Sequence, residues 1–510
     1  MDNAPRVVPP DAFNRKLEEN VHPPGWINPD PAPRYNIVVI GAGTAGLVTA
    51  AGTAGLGGKV ALVERHLMGG DCLNTGCVPS KCLIRSGRAA AALRDAGPFG
   101  IRGIDGYEVN FPSVMERMRR LRSGISVNDS AKRFSEELGV DVFLGDARFS
   151  GTDTVNVDDT ILKFRKAVIA TGARAFVPSV DGLSEAGFLT NETVFNLTSL
   201  PEKLAVIGAG PLGCELAQAF ARLGSRVFLL QRGDQIMPRE DPDAARIVER
   251  AMVTEGIELI LPCDLKRVEK TRDGKVIHLE CEGDARQITV DEILVGAGRV
   301  PNVEGLDLEQ VGVSFDKRKG IRVDEYLRTD NPRIFAAGDV CSPYKFTHAA
   351  DAMARIVIQN ALFLGRKKTS ALNIPWCTYT DPEVAHVGEY EKDLEKKGIP
   401  FRTFTIPMAE VDRAIAESET EGMVKIHVRE RSGKILGATI VASQAGEMIG
   451  EVTTAMRAKM SLGGLSGVIH PYPTRAEGIR KAADAYNRTR LTPGVKRLFE
   501  AILKWQRGGK

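Results

Sequence analysis

A short pattern that occurs twice limits most strongly what this chain can fold into. Asn36-Ile37-Val38-Val39-Ile40 is a β-branched run that stops at glycine, and Gly41-x-Gly43-x-x-Gly46 follows at once. Such a run predicts a strand buried on both faces, as in a parallel sheet. Helix formers continue to about Leu56, and Lys59-Val60-Ala61-Leu62-Val63-Glu64 reads as a second strand, which completes a βαβ unit. The same order returns at Leu204-Ala205-Val206-Ile207, then Gly208-x-Gly210-x-x-Gly213, a helical stretch to Leu223 and the strand Arg226-Val227-Phe228-Leu229-Leu230-Gln231. In each copy the first glycine permits a tight turn and the second lets a pyrophosphate approach the backbone. The third lets helix and strand pack closely, and the helix N-terminus attracts the phosphates. The chain is therefore expected to be an α/β protein with two dinucleotide sites.

The residue closing the second strand separates the two copies. Glu64 stands 23 positions after Gly41, where an acid can bind ribose hydroxyls. The equivalent position after Gly208 holds Gln231, followed by Arg232. A missing acid beside an arginine suits a 2′-phosphate, which favours NADPH over NADH. The alternative is that Arg232 is an ordinary solvated charge.

Cys72-Leu73-Asn74-Thr75-Gly76-Cys77 carries the chemistry. The other six cysteines, Cys82, Cys214, Cys263, Cys281, Cys341 and Cys377, are scattered singly along the sequence and supply no obvious second pair for zinc. A dithiol–disulfide couple fits better. Lys81 follows Cys77 by four residues, on one face if the segment is helical, and a nearby cation and a helix N-terminus both favour thiolate. Eight cysteines in 510 residues are too few for a disulfide scaffold. No export signal is legible at the N-terminus, so a reducing cytoplasm is the expected setting. The net charge of +3 points to neither nucleic acid nor an anionic membrane, and no apolar run reaches the length of a spanning helix.

A chain of 510 residues exceeds what one core supports, so several domains are expected. Residues 1–34 hold eight prolines and read as an extended arm. Ile334-Phe335-Ala336-Ala337 is another strand ending in glycine, and short apolar runs separated by turns from about Ser370 suggest a mixed α+β domain. Residues 495–510 are basic, with apolar side chains at helical spacing.

The stretch Gly69-Gly70-Asp71-Cys72-Leu73-Asn74-Thr75-Gly76-Cys77-Val78-Pro79-Ser80-Lys81 resembles the active-site signature of the pyridine nucleotide–disulfide oxidoreductases, which include dihydrolipoamide dehydrogenase, glutathione reductase and mercuric reductase. Ala170-Thr171-Gly172, Gly296-Ala297-Gly298-Arg299-Val300-Pro301-Asn302 and Ala336-Ala337-Gly338-Asp339 extend the resemblance across residues 35–488. It implies two Rossmann-like dinucleotide-binding domains, for FAD and NAD(P), and a C-terminal α+β dimerisation domain. The implied segments are 35–178 and 305–371 for FAD, 179–304 for NAD(P) and 372–488 for dimerisation, with a basic tail over 489–510. Gly41, Gly43, Gly46, Glu64, Gly70, Lys81, Thr171, Gly172, Asp339, Thr347 and His348 are expected at FAD, with Asp339 holding its ribityl chain. Gly208, Gly210, Gly213, Gln231, Arg232 and Gly298 are expected at NAD(P). Cys72 is implied as the interchange thiol facing substrate, Cys77 as the charge-transfer thiol facing flavin, and Glu215 as the partner of Lys81.

The C-terminal segment departs from the family pattern. In His470-Pro471-Tyr472-Pro473-Thr474-Arg475-Ala476-Glu477, Tyr472 stands where a general acid–base histidine belongs. A phenol with a pKa near ~10 is a poor base at neutral pH, though it can donate a hydrogen bond. His470, two positions away, is either a turn histidine or a substitute base. Tyr472, Glu477-Gly478 and Ala482-Ala483-x-x-Tyr486-Asn487 are similar to mercuric reductases, but no cysteine follows Cys377 to supply the vicinal pair with which those enzymes end. The expected activity passes electrons from NADPH through FAD to Cys72 and Cys77 and on to a disulfide or a soft metal ion, with no resident metal. Mercuric ion reduction proper, dihydrolipoamide dehydrogenation and a non-catalytic or membrane-docked flavin adaptor are the alternatives. The resemblance also implies a homodimer in which Tyr472 and Glu477 of one chain face Cys72 of the other. The tail is expected to pack on that dimer, with contact to an anionic membrane as the second reading.

Overall fold

The β-branched runs become the middle strands of parallel sheets. In the computed structural model, which describes residues 7–102, 106–363 and 365–508, Tyr35–Ile40 lies between Val60–Glu64 and Thr160–Ile169 and runs parallel to both. Asp141–Leu144 adds beyond Val60–Glu64, and Ile334–Ala336 pairs with Thr160–Ile169, again in parallel. Alternate side chains enter two separate cores. Ile37 and Val39 meet the helices Thr44–Gly55 and Thr347–Leu362 through Ala45, Leu47, Met353 and Val357. Val38 and Ile40 meet Phe149, Val155 and Leu162 of an antiparallel meander on the other face. Burial on both faces explains why the run is continuously apolar rather than alternating.

The second copy repeats this plan. Lys203–Ile207 lies between Arg226–Leu230 and Glu292–Val295, with Glu258–Ile260 outside, all in parallel. A three-stranded antiparallel sheet, Asp264–Thr271, Gly274–Cys281 and Asp284–Val290, joins its last two strands. The glycine spacing has the same cause in both copies. Gly41 and Gly208 adopt φ of 101° and 100°, a region that favours glycine. A Cβ at Gly46 would overlap the carbonyl oxygen of Gly41, and one at Gly213 that of Gly208.

Both βαβ units lie in one compact unit, which runs to Asp234 and resumes over Gly256–Leu372; the other comprises Gln235–Glu255 and the chain from Asn373 onward. The helix Pro242–Thr254, in the middle of the span 179–304, thus belongs to the second unit. Buried polar groups hold it there. Lys425, almost fully buried, reaches Asp241 and Asp243 at 2.7 Å each, and Trp376 and Tyr390 donate to the two oxygens of Glu240. The core of that unit is a five-stranded antiparallel sheet in the order Pro375–Thr378, Glu383–Gly388, Ile435–Ala442, Met423–Arg429, Phe401–Pro407. The helices Ala445–Arg457 and Glu477–Arg490 cover it with Ile449, Val452, Ile479 and Ala482.

The N-terminal stretch is not extended throughout. Ala12–Val21 is a helix, with Asp11 accepting from the Asn14 amide at 2.8 Å as its cap. Leu17 and Val21, one turn apart, are fully buried in the first core. The prolines lie on either side of this stretch, so they bound the helix and do not prevent it. In the tail, Pro493–Gln506 is helical and leaves Leu498, Phe499, Ile502, Leu503 and Trp505 exposed. Among the described residues no helix is long and apolar enough to cross a membrane.

Candidate active site

Cys72 sits on the short helix Gly70–Asn74, and Cys77 opens the helix Cys77–Arg94. Thr347, first residue of its own helix, places its hydroxyl 3.4 Å from the Cys77 sulfur. The Cys72 thiol donates to Cys77, and that bond does most to bring the Cys77 thiol down to about 6. The Thr347 hydroxyl and the Lys81 ammonium act in the same direction against the cost of burial. Position at a helix N-terminus adds to this, since the peptide dipoles there favour an anion. The same bond, with burial, pushes the Cys72 thiol up. The pair therefore has one ready thiolate, Cys77, and one thiol that donates to it.

Helical spacing puts Lys81 one turn beyond Cys77, and its ammonium bonds the Glu215 carboxylate at 2.8 Å. Glu215 is buried on the helix Pro211–Leu223, which the second glycine motif starts. The second βαβ unit thus supplies the counter-charge for the cation beside the thiols of the first. A buried arginine supports the loop from behind. Arg122 donates to the Asn74 carbonyl at 2.7 Å and to Asn14 of the N-terminal helix at 2.8 Å. Arg122→Met leaves both acceptors buried without a donor, so it is expected to cost about 1–3 kcal/mol. A fall in thermal midpoint of several degrees in a melting scan checks this, and an unchanged midpoint contradicts it.

The remaining residues of the first unit gather around the sheet's strand ends. Glu64 accepts from the Ala42 amide at 2.7 Å and from the His66 amide at 2.8 Å, which fixes the glycine turn. A Cβ on Gly70 would lie 2.7 Å from Gly43 Cα, so two backbones meet where the second glycine of the motif needs room. Thr171 and Asn302 clasp each other, side chain to main chain, at 2.7 and 2.9 Å, and Gly172 accepts from the Asn302 amide. Gly298 accepts from Phe176 in the same two-stranded contact. Asp339 is largely buried, which pushes its carboxyl up, with Arg299 Nε 3.7 Å away drawing it back. Arg299 also pairs with Asp71, next to Cys72. His348 stacks on Phe346 at 5.4 Å.

At the second motif, Gln231 Oε1 accepts from the Ala209 amide at 3.2 Å, the bond that Glu64 makes in the first copy. The glutamine therefore keeps the acid's structural contact without its charge. Arg232 is 90% exposed and pairs with Asp264 at 3.2 Å. A Cβ on Gly210 would meet nothing within 4 Å, so this turn stands open.

Tyr472 and Glu477 belong to the second unit. The Tyr472 hydroxyl donates to Asp412 at 2.8 Å, and that bond pushes the phenol pKa up. Glu477 is buried, with Arg480 at 3.2 Å and Lys481 at 3.8 Å. His470 lies 2.8 Å from Glu451 through Nε2 and 3.0 Å from the Val468 carbonyl through Nδ1, two acceptors of which a neutral imidazole donates to one. His470, Tyr472, Glu477 and Arg480 line a cavity of about 280 Å³.

A family model described as pyridine nucleotide-disulphide oxidoreductase matches residues 35–354, and the dimerisation domain of the same family matches residues 374–483. The chain belongs to the pyridine nucleotide-disulphide oxidoreductase family. It is 34% identical over 454 residues to a mercuric reductase from Lysinibacillus sphaericus, covering 89% of this chain and 83% of that one. It is 32% identical over 449 residues to a dihydrolipoyl dehydrogenase from Chlamydia muridarum, covering 87% and 95%. The Cu(II) complex of the HOCl-induced flavoprotein disulfide reductase RclA from Escherichia coli is similar in structure, with a TM-score of 0.78 at 28% identity, covering 87% and 98%.

As a member of this family the protein is an FAD-containing, NAD(P)H-dependent oxidoreductase. The residues present fit FAD. Gly43 and Gly70 bring two backbones together at the first glycine turn with no side chain in the way, and Arg299 Nε is buried beside Asp339 with no hydrogen-bond partner among the described residues. Three contributors were not legible in the sequence. Asp412 holds Tyr472 from 60 residues away, and nothing local marks it. Arg122 lies on an ordinary amphipathic helix. Arg299 stood inside a recognised motif, but its tie to Asp71 depends on tertiary placement.

Proposed function

We propose that this oxidoreductase takes electrons from NADPH, stores them as the Cys72–Cys77 dithiol and delivers them to a soft metal ion or a disulfide through Cys72. The observation that carries this reading is the placement of the Cys77 sulfur at a helix N-terminus, 3.4 Å from the Thr347 hydroxyl and one turn from Lys81, with Lys81 backed by buried Glu215. FAD, when bound, relays an electron pair from the nicotinamide to the cysteine pair. With a disulfide acceptor, Cys72 passes its proton to the Cys77 thiolate, attacks one sulfur and expels one thiolate, which takes that proton from Cys77. Cys77 thiolate then attacks Cys72, closes the Cys72–Cys77 bond and expels the second. The dimerisation-domain match supports a homodimer, in which Tyr472 and Glu477 of the partner subunit face Cys72. A reducing cytoplasm suits a dithiol of this kind.

Acceptor choice turns on the proton. An expelled thiolate needs an acid, and efficient general acid–base catalysis is worth roughly 10²–10⁴-fold. Tyr472 is committed to Asp412 with its phenol pushed up, and His470 is turned towards Glu451. A soft metal ion bound by thiolates has no such requirement. The mercuric reductase relatives and the Cu(II) complex of RclA support that class. NADPH consumption is to be followed with lipoamide, glutathione disulfide, Hg(II) and Cu(II). The expected result is slow turnover of lipoamide and glutathione disulfide, and a gain of about tenfold or more with lipoamide in Tyr472→His. Fast lipoamide turnover by the unaltered protein contradicts the proton argument.

Nucleotide choice is tested separately. Gln231 leaves no carboxylate to repel a 2′-phosphate, and Arg232 is exposed. The KM for NADPH is expected below that for NADH, with Arg232→Glu reversing the order. Equal KM values in both proteins contradict it.

A further inference from the structure

The antiparallel sheet of the first compact unit carries two cysteines that the proposed chemistry does not use. Cys263 immediately precedes the strand Asp264–Thr271, and Cys281 ends the neighbouring strand Gly274–Cys281. Asp264 opposes Glu280 and Leu265 opposes Leu279, so the same register sets Cys263 opposite Cys281. Opposed residues of an antiparallel pair project on one face, with Cα atoms about 4.5–5.5 Å apart. That lies inside the roughly 4.4–6.8 Å which a disulfide spans. The Cys263 thiol donates to the Ile260 carbonyl at 3.0 Å and also interacts with the Cys281 thiol. Cys263 is buried in the apolar cluster with Ile260 and Leu279, and Cys281 packs against that cluster half-exposed.

The backbone beside this pair leads to the second glycine motif. The Cys263 amide donates to the Gln231 carbonyl at 2.9 Å, and the Gln231 amide donates to Ile260 at 3.1 Å. Asp264, next along, holds Arg232. Residue 263 therefore holds the main chain of Gln231 and residue 264 the side chain of Arg232, the two residues that the reading above assigns to the nucleotide's ribose end. We propose that Cys263 and Cys281 form a second, regulatory disulfide that responds to low-molecular-weight disulfides and weakens nicotinamide nucleotide binding.

The step balances as a thiol–disulfide exchange. Cys281 thiolate attacks one sulfur of the small disulfide, forms a mixed disulfide and releases one thiolate. Cys263 then loses its proton, attacks the Cys281 sulfur, breaks the mixed bond and expels the second thiolate. Two protein thiols are oxidised, one small disulfide is reduced to two thiols, and the two protons go to the released thiolates. Burial pushes the Cys263 thiol up to about 11, which leaves the first attack to the more accessible Cys281. Closure brings the sulfurs to about 2.05 Å. Cys263 is thereby drawn towards the strand Gly274–Cys281 and away from Gln231.

The nucleotide half of this proposal rests on the function proposed above; the disulfide itself does not. The holoenzyme is to be incubated with glutathione disulfide, digested without reduction and mapped by mass spectrometry. NADP+ is to be titrated calorimetrically into the reduced and the oxidised protein. The expected result is a Cys263–Cys281 crosslink, reversed by dithiothreitol, with Kd for NADP+ raised about five-fold or more. Cys281→Ser should lose both changes and keep the reduced protein's Kd; Cys281→Ala replaces it if the serine disturbs folding. Glutathione adducts without that crosslink overturn the proposal. A crosslink with unchanged Kd overturns its link to the nucleotide. No NADP+ binding in either form, with the crosslink present, supports the disulfide and overturns the reading of residues 231–232.

Discussion

Cys72→Ser is expected to lower steady-state turnover with any disulfide acceptor by roughly a thousandfold or more, while NADPH still bleaches the flavin. The loss is large because the acceptor step is a covalent exchange, and a serine hydroxyl at neutral pH is neither ionised nor a competent attacking group there. The flavin half-reaction is expected to survive because the motifs at Gly41 and Gly208, proposed to position the nucleotides, do not involve Cys72. Stopped-flow absorbance of the flavin beside steady-state NADPH oxidation separates the two halves. Disulfide turnover within tenfold of the unaltered protein would show that another group accepts the substrate.

Lys81→Met is expected to move the titration of Cys77 upward by at least one pH unit, equivalent to about 1.4 kcal/mol. The Cys77 thiol is held down at about 6 by the Cys72 and Thr347 hydrogen bonds and by the Lys81 ammonium. Thiolate therefore dominates above pH 6 and is lost below it. Methionine keeps most of the side chain's length, removes the cation and leaves the buried Glu215 carboxylate near the thiol without this counter-charge. Both changes disfavour thiolate. The depressed value also links to stability: the contribution is fully present above the unfolded thiol's value near ~8.5 and is lost as pH falls through about 6. A long-wavelength absorbance titration of reduced enzyme, unaltered and Lys81→Met, reads the shift. Coincident midpoints would mean that Lys81 has no electrostatic part in the site.

The residues that were legible in the sequence are those whose role is local. The glycines of both motifs, the strand-closing Glu64 and Gln231, and the Cys77–Lys81 spacing act through turns and single helical steps, so order along the chain already encodes them. The Lys81–Glu215 pair was reached by resemblance, since its members lie on two different βαβ units. Long-range placement hid the rest. The proline content of residues 1–34 masked a capped helix whose Leu17 and Val21 complete a core formed far along the chain. Composition gave no reason for residues 235–255 to join the C-terminal sheet; buried Lys425 and Tyr390 supply it from about 150 residues or more downstream. Cys263 and Cys281 read as isolated residues because only strand register brings them face to face.

Two thiols are proposed to divide the work, Cys77 next to the flavin and Cys72 towards the acceptor. Visible spectra of purified Cys77→Ser and Cys72→Ser, before and after two-electron reduction, test it most directly. A long-wavelength thiolate-to-flavin band is expected in the unaltered enzyme only after reduction, in Cys72→Ser without reduction, and never in Cys77→Ser. A band that persists in Cys77→Ser, or one that needs Cys72, would contradict it.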